Sequence, residues 1–427
     1  MRKKTIFLLI AVILFCSFFA VKQHTPAFAT GPEIALKHRF GVGAASNIAL
    51  FDYQQLGGIG WYFDWDWRHQ WIEEKPYDSN LVYFPLVGGY NPGVQTPTCE
   101  VLTNWVNTHR EKYPQNTIFM IGNEIGWDDQ RNPEQYARAY HAYYSCIKAI
   151  DNRFGVAIGG IPSPSWIYQN YDWWPLPWLP WRGMSSMPAL DYVRFARQEY
   201  ESIYGVPMPI DAFILHTYVF TGNMDDIEVF KQHVRDYRNF MKEIGARDKP
   251  LIIKEMGIPR SRVPISIVKE FMYKAFDYLQ NAKDSNLGMP SDENRLVQRW
   301  AWFVLNDGEG EYEGYWDSTS LFDSDTKEIR ELGIAFFKYL NPIPPKFELS
   351  YNWNLITWPD IPDIFYTASS ALADIDNDCG AGTGIVIATK EKDWWENYVK
   401  NYGGTNFDLQ NNQNYFINVS KDCSWRP

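Results

Sequence analysis

Two glutamates stand at the ends of short apolar segments, where an acid side chain can take part in catalysis. Glu124 ends the segment Thr117–Glu124, and Glu255 ends the segment Pro250–Glu255. Continuous apolar runs of this length are typical of buried parallel strands, and residues just past such strands lie at the mouth of an α/β barrel. Two carboxyl groups at one mouth can cleave a glycosidic bond, one as proton donor and the other as nucleophile. The pattern therefore predicts a pair of catalytic acids.

Strand-like and helix-like segments alternate from Lys37 to Leu340 and would position these acids. The predicted strands are Arg39–Gly43, Gly58–Trp65, Leu81–Gly88, Thr117–Asn123, Gly155–Gly160, Ala212–Thr217, Leu251–Glu255 and Arg299–Leu305. The clearest predicted helices are Thr98–Tyr113, Pro133–Ile150, Pro188–Tyr204, Asp225–Ile244, Pro264–Asn281 and Thr326–Leu340. This alternation predicts a (β/α)₈ TIM barrel of the α/β class, with the acids after its fourth and seventh strands.

Three polar side chains accompany the acids. Asn123 directly precedes Glu124, where its amide would hydrogen-bond the sugar hydroxyl next to the anomeric carbon. Alternation along a strand puts His216 and Tyr218 on one face at the strand's end. At a barrel mouth these two would hold substrate or a catalytic carboxylate. A histidine that caps a buried strand is the alternative.

Tryptophan is abundant, with 19 residues, and indole faces suit stacking on sugars. Trp302 follows Trp300 on one face of the last predicted strand, where it would form the floor of the cleavage subsite or simply fill the barrel. Two more clusters follow the second and fifth strands: Trp61, Trp65, Trp67 and Trp71, then Trp173, Trp174, Trp178 and Trp181. Trp65 and Trp174 are the first candidates for sugar contact. Asp64 would hydrogen-bond sugar hydroxyls or lie at the surface.

Four short motifs, in this order, resemble glycoside hydrolase clan A: Gly122-Asn123-Glu124, His216-Thr217-Tyr218, Lys254-Glu255 and Trp302. Members of that clan are retaining (β/α)₈ barrels with the acid/base on strand four and the nucleophile on strand seven. The resemblance covers residues 37–340 and implies that Glu124 is the acid/base and Glu255 the nucleophile, which Tyr218 or His216 would tune. The stretch Gly60–Trp65 is also similar to small barrel glycosidases acting on β-1,3-glucan. Ile125 departs from the clan's frequent Asn-Glu-Pro.

The first 29 residues have the features of a cleaved export signal. Basic residues (Arg2, Lys3 and Lys4) precede the apolar run Ile6–Val21, and Ala27–Ala29 fits an A-x-A cleavage site. We therefore expect a secreted, extracellular protein, either free or associated with the cell surface.

Four cysteines remain after this leader. Export permits disulfides, and the favoured pairs keep each bridge within its own region, Cys99 with Cys146 and Cys379 with Cys423. Zinc binding is the competing interpretation, although no pair has C-x₂-C spacing.

The formal charge of the chain is −11, and the leader carries four basic and no acidic residues, so the rest is close to −15. This charge argues against nucleic acid as a partner and fits a neutral substrate, although it also describes an ordinary acidic surface. The sequence has no H-E-x-x-H, no G-x-S-x-G and no Walker lysine loop. We therefore expect no metal, no cofactor and no nucleotide. A monomer is expected as well.

The alternation ends at Asn341–Pro345, since prolines this dense stop a helix. The expected organisation is a signal peptide (1–29), a glycosidase barrel (33–342) and a small β-rich accessory module (343–427). Tyr351–Ile356 and Tyr415–Ser420 resemble β-modules appended to bacterial surface proteins. Such a module would bind sugar, pack on the barrel or tether the protein.

Together these features predict an exported retaining glycoside hydrolase that attacks the interior of a β-linked polysaccharide, with β-glucan favoured. Xylan, mannan or transglycosylation are the alternatives within the clan, and an inverting mechanism is the other catalytic possibility. From another class of protein, the alternative is a catalytically inactive carbohydrate-binding surface protein.

Overall fold

The computed structural model describes residues 36–68, 81–88, 96–129, 131–165, 167–169, 186–219, 226–258, 263–306, 319–341, 347–358, 367–391, 394–410 and 413–425. They form two compact units. The first extends to Asp52 and continues over Ile59–Glu328, and the second contains Tyr53–Gly58 and the chain from Ile329 onward. The predicted leader and the Trp174 cluster lie outside the described residues.

A curled sheet forms the centre of the first unit. In the described residues it has nine strands, all paired in parallel, in the order β3-β2-β1-β11-β10-β9-β6-β5-β4. The strands are β1 Phe40–Gly43, β2 Trp61–Phe63, β3 Val82–Tyr83, β4 Leu86–Val87, β5 Ile118–Ile121, β6 Gly155–Ile161, β9 Ala212–Tyr218, β10 Leu251–Gly257 and β11 Arg299–Trp302. A separate antiparallel pair consists of β7 Ile167–Gln169 and β8 Ser186–Pro188.

The two end strands of this sheet, β3 and β4, are pieces of the segment predicted as one strand. Only Phe84 and Pro85 separate them, yet β3 pairs with β2 and β4 pairs with β5. Proline lacks an N–H group and cannot donate to a ladder. The Pro85 carbonyl instead accepts a 2.9 Å hydrogen bond from Met120 N. The sheet therefore curls so far that its two edge strands, β3 and β4, follow one another in the chain.

The helices of the first unit follow the predicted segments. They are α2 Cys99–Thr108, α3 Pro133–Ile150, α4 Ala189–Tyr204, α5 Asp226–Glu243 and α6 Ile265–Asn281, after a short α1 Leu36–Arg39, with 3₁₀ turns at Ile48–Leu50, Arg110–Lys112 and Pro290–Asp292. The start of α3 agrees with its sequence signal, because Asn132 and Gln135 form a reciprocal capping box around Pro133. Among the described helices, none combines the length and apolar character needed to cross a membrane.

Glycines in β1 make room for the aromatic side chains of β2 inside the sheet. A Cβ atom at Gly41 would overlap the Trp61 indole, and one at Gly43 would lie 2.7 Å from the Phe63 ring. Trp61 and Phe63 are both fully buried and pack with Phe84 and Ala301. The interior of the sheet is therefore filled at this level by rings that require glycine opposite them.

The second unit is an α+β module around its own core. Its five-stranded antiparallel sheet has the order β13-β17-β14-β15-β16, and β12 pairs separately with β18. The strands are β12 Phe347–Leu349, β13 Asn352–Thr357, β14 Gly384–Glu391, β15 Trp394–Val399, β16 Gly403–Gly404, β17 Asn414–Val419 and β18 Cys423–Trp425, and the helices are α7 Glu331–Leu340 and α8 Ala368–Cys379, with a 3₁₀ turn at Tyr53–Leu56. Side chains of α8, Trp358 and Ile417 share the core, whereas Trp353, Leu355 and Trp395 are exposed.

Two differences from the sequence prediction concern this unit. The helix predicted over Thr326–Leu340 begins later, at Glu331, and groups with the second unit rather than with the sheet of the first. The region predicted as β-rich also contains a full helix, α8, whose start is capped by Thr367 and Ser370.

Both predicted disulfides are confirmed. Cys99–Cys146 joins α2 to α3, and Cys379–Cys423 joins the end of α8 to β18. Each bridge therefore lies within one unit.

The fit between Gly41 and Trp61 predicts the result of a single substitution. Gly41→Ala should lower the free energy of unfolding by about 1–3 kcal/mol, the usual cost of overpacking a filled core. Chemical denaturation followed by fluorescence measures this. Adding Trp61→Phe should recover part of the loss, because the smaller ring frees the space that the methyl group needs. Equal stability of Gly41→Ala and wild type would contradict the fit.

Candidate active site

The structure brings the two predicted acids together at one site. Carboxylate oxygens of Glu124 and Glu255 and a ring nitrogen of His216 all lie within 4.8 Å of one another. His216 Nδ1 is 3.0 Å from Glu124 Oε1 and 3.3 Å from Glu255 Oε2. The histidine is fully buried and stands between two carboxylates that come from strands far apart in the chain.

An extra residue in β10 directs Glu255 into the site. Ile253 pairs with Leu215 of β9 and Glu255 pairs with His216, the next residue of β9, so Lys254 is the additional residue of a β-bulge. Ile252 packs in the interior of the sheet. In a regular strand Lys254 would share that side and Glu255 would face the helices. The bulge turns Glu255 inward beside Lys254.

Glu255 is buried and surrounded by hydrogen-bond donors. Tyr218 donates its hydroxyl to Oε2 at 2.6 Å, while Trp65 Nε1 and Lys254 Nζ donate to Oε1 at 2.9 and 2.5 Å. Burial alone would raise the pKa of Glu255. The positive charges of His216 and Lys254, with the hydrogen bonds from Lys254 and Tyr218, outweigh burial and lower this pKa to about 2. Glu255 is therefore ionised under ordinary conditions.

A tight turn after β5 presents Glu124. Gly122 has φ +83° and Glu124 itself has φ +35°, so the chain turns back directly after the strand. Glu124 O accepts a 2.7 Å hydrogen bond from Trp127 N, and Asn123 O accepts one of 3.1 Å from Asp129 N. Glu124 is more exposed than Glu255, with 14% of its side chain accessible against 6%. The two acids therefore have different access to solvent.

Asn123 lies between Lys254, which the sequence analysis named only as part of a clan motif, and Asp128, which it did not name. Its Oδ1 accepts a 2.7 Å hydrogen bond from Lys254 Nζ, and its Nδ2 donates one of 2.8 Å to Asp128 Oδ2. Withdrawal from water and the negative charge of Glu124 raise the pKa of Asp128 to about 6. Asp128 is thus a third carboxyl group at the mouth.

The aromatic wall of the site consists of rings from three strand ends. Phe303 makes edge contacts with Trp65 at 5.4 Å and with Tyr218 at 5.5 Å between ring centroids. Trp65 was predicted, whereas Phe303 was missed. Ala301 lies in the interior of the sheet, so alternation from this small residue directs the side chain at position 303 inward. That parity was the available sequence signal.

Trp302 does not lie where the sequence prediction puts it. Its side chain is fully buried, its rings contact Phe271 and Phe276 of α6, and its Nε1 donates to Thr319 O at 2.8 Å. Alternation from Ala301 directs this residue toward the helices. No face of Trp302 is open to a sugar, which disagrees with its predicted role as the floor of the subsite.

Asp64 is held by Tyr83 and by the backbone of Asp66. It is buried, and Tyr83 donates its hydroxyl to Oδ1 at 2.5 Å. Burial raises the pKa of Asp64 to about 8. Its predicted contact with sugar hydroxyls stays a prediction, as does that of Trp174, which lies outside the described residues.

Glu124, His216 and Glu255 have the spacing that could hold a metal ion, and other such groups do not occur among the described residues. An ion there would compete with Lys254, Trp65 and Tyr218 for the oxygens of Glu255. The ammonium group of Lys254 would also repel a cation. The donor set suits a carboxylate used for acid–base or nucleophilic chemistry.

A parallel sheet that brings two carboxylates and a histidine together at its strand ends is suited to acid–base and nucleophilic chemistry, the chemistry that α/β enzymes of the glycoside-cleaving class use. The chain belongs to the family described as glycosyl hydrolase catalytic core, whose model matches residues 41–336. It is a glycoside hydrolase, as the clan resemblance predicted. No curated protein matches the chain.

Several solved structures are similar at low identity. One is a subgroup II endo-β-1,3-glucanase of glycoside hydrolase family 128 from Pseudomonas viridiflava, at 15% identity and TM-score 0.46, covering 70% of this chain and 96% of that chain. A subgroup I endo-β-1,3-glucanase from Amycolatopsis mediterranei in complex with laminaritriose has 14% identity and TM-score 0.44, covering 70% and 99%. A glucosidase from Croceicoccus marinus has 12% identity and TM-score 0.49, covering 92% and 98%.

The positions of Trp65 and Trp302 predict that substitution of the first impairs catalysis and substitution of the second does not. Trp65→Ala should lower kcat/KM by about 10- to 100-fold, because it removes both a half-buried ring beside the acids and a donor to Glu255. Trp302→Phe should leave KM unchanged, since the buried ring faces α6. Steady-state kinetics on a soluble glycan measures both. A higher KM for Trp302→Phe with an unchanged KM for Trp65→Ala would reverse the assignment.

Proposed function

We propose that this protein cleaves β-linked glucan by double displacement with retention of configuration. The supporting observation is the distance within the acid pair. Carboxylate oxygens of Glu124 and Glu255 lie within 4.8 Å, which fits the separation of about 5–5.5 Å in retaining enzymes better than the 6.5–9.5 Å of inverting ones.

The environments of the two acids support distinct roles. Glu255 is buried, ionised and fixed by Tyr218, Trp65 and Lys254, which suits a nucleophile that attacks the anomeric carbon. Glu124 is more exposed, which suits transfer of its proton to the leaving oxygen and its later exchange with water. In the second step Glu124 takes a proton from water, and the resulting hydroxide oxygen bonds to the anomeric carbon as the bond to Glu255 breaks.

The proposed architecture is a closed (β/α)₈ barrel. In this interpretation β3 and β4 are two halves of the third strand, interrupted at Pro85. The continuity of Val82–Val87 and its hydrogen bonds to β2 and β5 support it. Residues that follow the strands would then surround a single mouth.

The substrate proposed is a β-1,3-linked glucan cut in its interior. The resemblance of Gly60–Trp65 to barrel glycosidases acting on that polymer supports it, and Trp65 from this stretch reaches Glu255. The acidic chain suits a neutral polymer. Export is proposed from the leader pattern, and the two disulfides agree with an oxidising compartment.

A polysaccharide panel tests the substrate. Soluble β-1,3-glucan, mixed-linkage β-glucan, xylan and mannan should be compared by release of reducing ends and by product length. Rapid release of several oligosaccharide sizes from β-1,3-glucan is expected. Cleavage of xylan or mannan alone would make that polymer the substrate in place of β-glucan. Binding without new reducing ends would indicate a non-catalytic carbohydrate-binding protein.

Removal of Glu255 tests the mechanism. Glu255→Ala should lower kcat by more than about 1,000-fold, because no covalent intermediate can form. Azide should restore turnover and give a glycosyl azide of inverted configuration, identified by proton NMR. Glu270→Ala, on the exposed part of α6, is the matched control and should keep wild-type activity. Undiminished turnover of Glu255→Ala would end the assignment.

A further inference from the structure

A buried lysine next to Glu255 takes no part in the two displacement steps. Lys254 has 1% of its side chain exposed. A buried ammonium ion is costly unless it is paired and hydrogen-bonded. Lys254 Nζ meets that need with Glu255 Oε1 at 2.5 Å and Asn123 Oδ1 at 2.7 Å, and it lies 4.4 Å from the centroid of the Phe63 ring. One cation therefore links the strand of one acid to the turn that carries the other.

We propose that Lys254 is a positioning residue for glycoside cleavage, which holds the Glu255 carboxylate and the Asn123 amide in one hydrogen-bonded network. This inference rests on the proposed function, because it takes Glu255 as the nucleophile.

Lys254 determines the orientation of the Asn123 amide. An ammonium group only donates hydrogen bonds, so the atom of Asn123 facing it is the oxygen. The amide nitrogen then faces Asp128 Oδ2 at 2.8 Å. Rotation of the amide by half a turn would place donor against donor and acceptor against acceptor. Asn123 therefore presents its N–H group on the side of Asp128.

Lys254 also offsets negative charge around Glu255. Among the described residues, the titratable groups that face this carboxylate are Lys254 on its own strand, His216 and Tyr218 on β9, and Glu124 and Asp128 after β5. Burial favours a proton on Glu255 and negative charge on Asp128 repels its carboxylate, whereas the charge and the hydrogen bond of Lys254 lower the pKa of Glu255. Without Lys254, fewer groups would oppose the effects of burial and of negative charge on the Glu255 carboxylate. The pKa of Glu255 would rise.

Two neutral variants test this role. Lys254→Met removes the charge and the donors, and Lys254→Gln removes the charge but retains an amide donor. The acid limb of kcat/KM reports the free-enzyme nucleophile. In both variants this limb should move to higher pH by about one unit or more, with kcat/KM at neutral pH lowered about 10- to 100-fold. Lys254→Arg keeps the charge and should keep the acid limb near wild type.

Lys274→Met is the matched control. This lysine lies on the exposed face of α6, where it pairs with Glu270. Its replacement removes one positive charge from the same unit without touching the site, so the pH profile should not change. Circular dichroism should show that each variant is folded. If Lys254→Met is unfolded, Lys254→Gln and Lys254→Arg decide the question.

The inference is overturned if the neutral variants lose activity by one factor at every pH and keep the wild-type acid limb, or if Lys254→Arg shifts that limb as far as Lys254→Gln. Inability of all three variants to fold would make Lys254 a structural residue and would also overturn it. Turnover by Glu255→Ala would instead remove the proposed function. An inactive Glu255→Ala with unshifted Lys254 variants would leave the function and remove only the positioning role.

Discussion

One extra residue in β10 is the constraint on which the site depends. A regular strand would send Lys254 and Glu255 to opposite sides of the sheet, and only one of them would face the interior. The bulge brings both inward, where the sheet offers mostly aromatic and aliphatic neighbours. Each charge then stabilises the other, since either alone would be costly to bury. The same displacement places Glu255 within reach of His216 on the adjacent strand.

This arrangement makes the two acids unequal. Glu255 receives hydrogen bonds from three side chains and is held ionised, whereas Glu124 stands on a sharp turn with greater access to water. His216 touches both and is fixed by close packing, since any Cβ on Gly160 would collide with its ring. The different burial and hydrogen bonding of the two acids therefore follow from backbone features, a bulge in β10 and a positive φ in the turn after β5.

Much of the scaffold is readable from sequence, and the limits have physical reasons. Apolar runs gave the positions of the parallel strands, and period-two alternation correctly grouped His216 with Tyr218. Alternation could not show that Trp302 faces the helices rather than the site. Both faces of a strand in this sheet are covered, so the residues on both faces are apolar. The small Ala301 was the weak clue that Phe303 faces the mouth. The bulge at Lys254 leaves no mark in composition, since it exists only in the pairing with β9. Likewise, the grouping of α7 with the second unit depends on contacts remote in the chain.

The Cys99–Cys146 bridge makes the support of one half of the site depend on an oxidising environment. It joins α2 to α3, the helices on either side of β5 in the chain, and β5 leads into the turn that bears Glu124. Such a bridge typically contributes about 2–4 kcal/mol. β9 and β10, which carry His216 and Glu255, have no cysteine. Protein made in a reducing cytoplasm would consequently lose support behind Glu124 while the surroundings of Glu255 stayed intact, so reduction would affect the two carboxyl groups of the site unevenly.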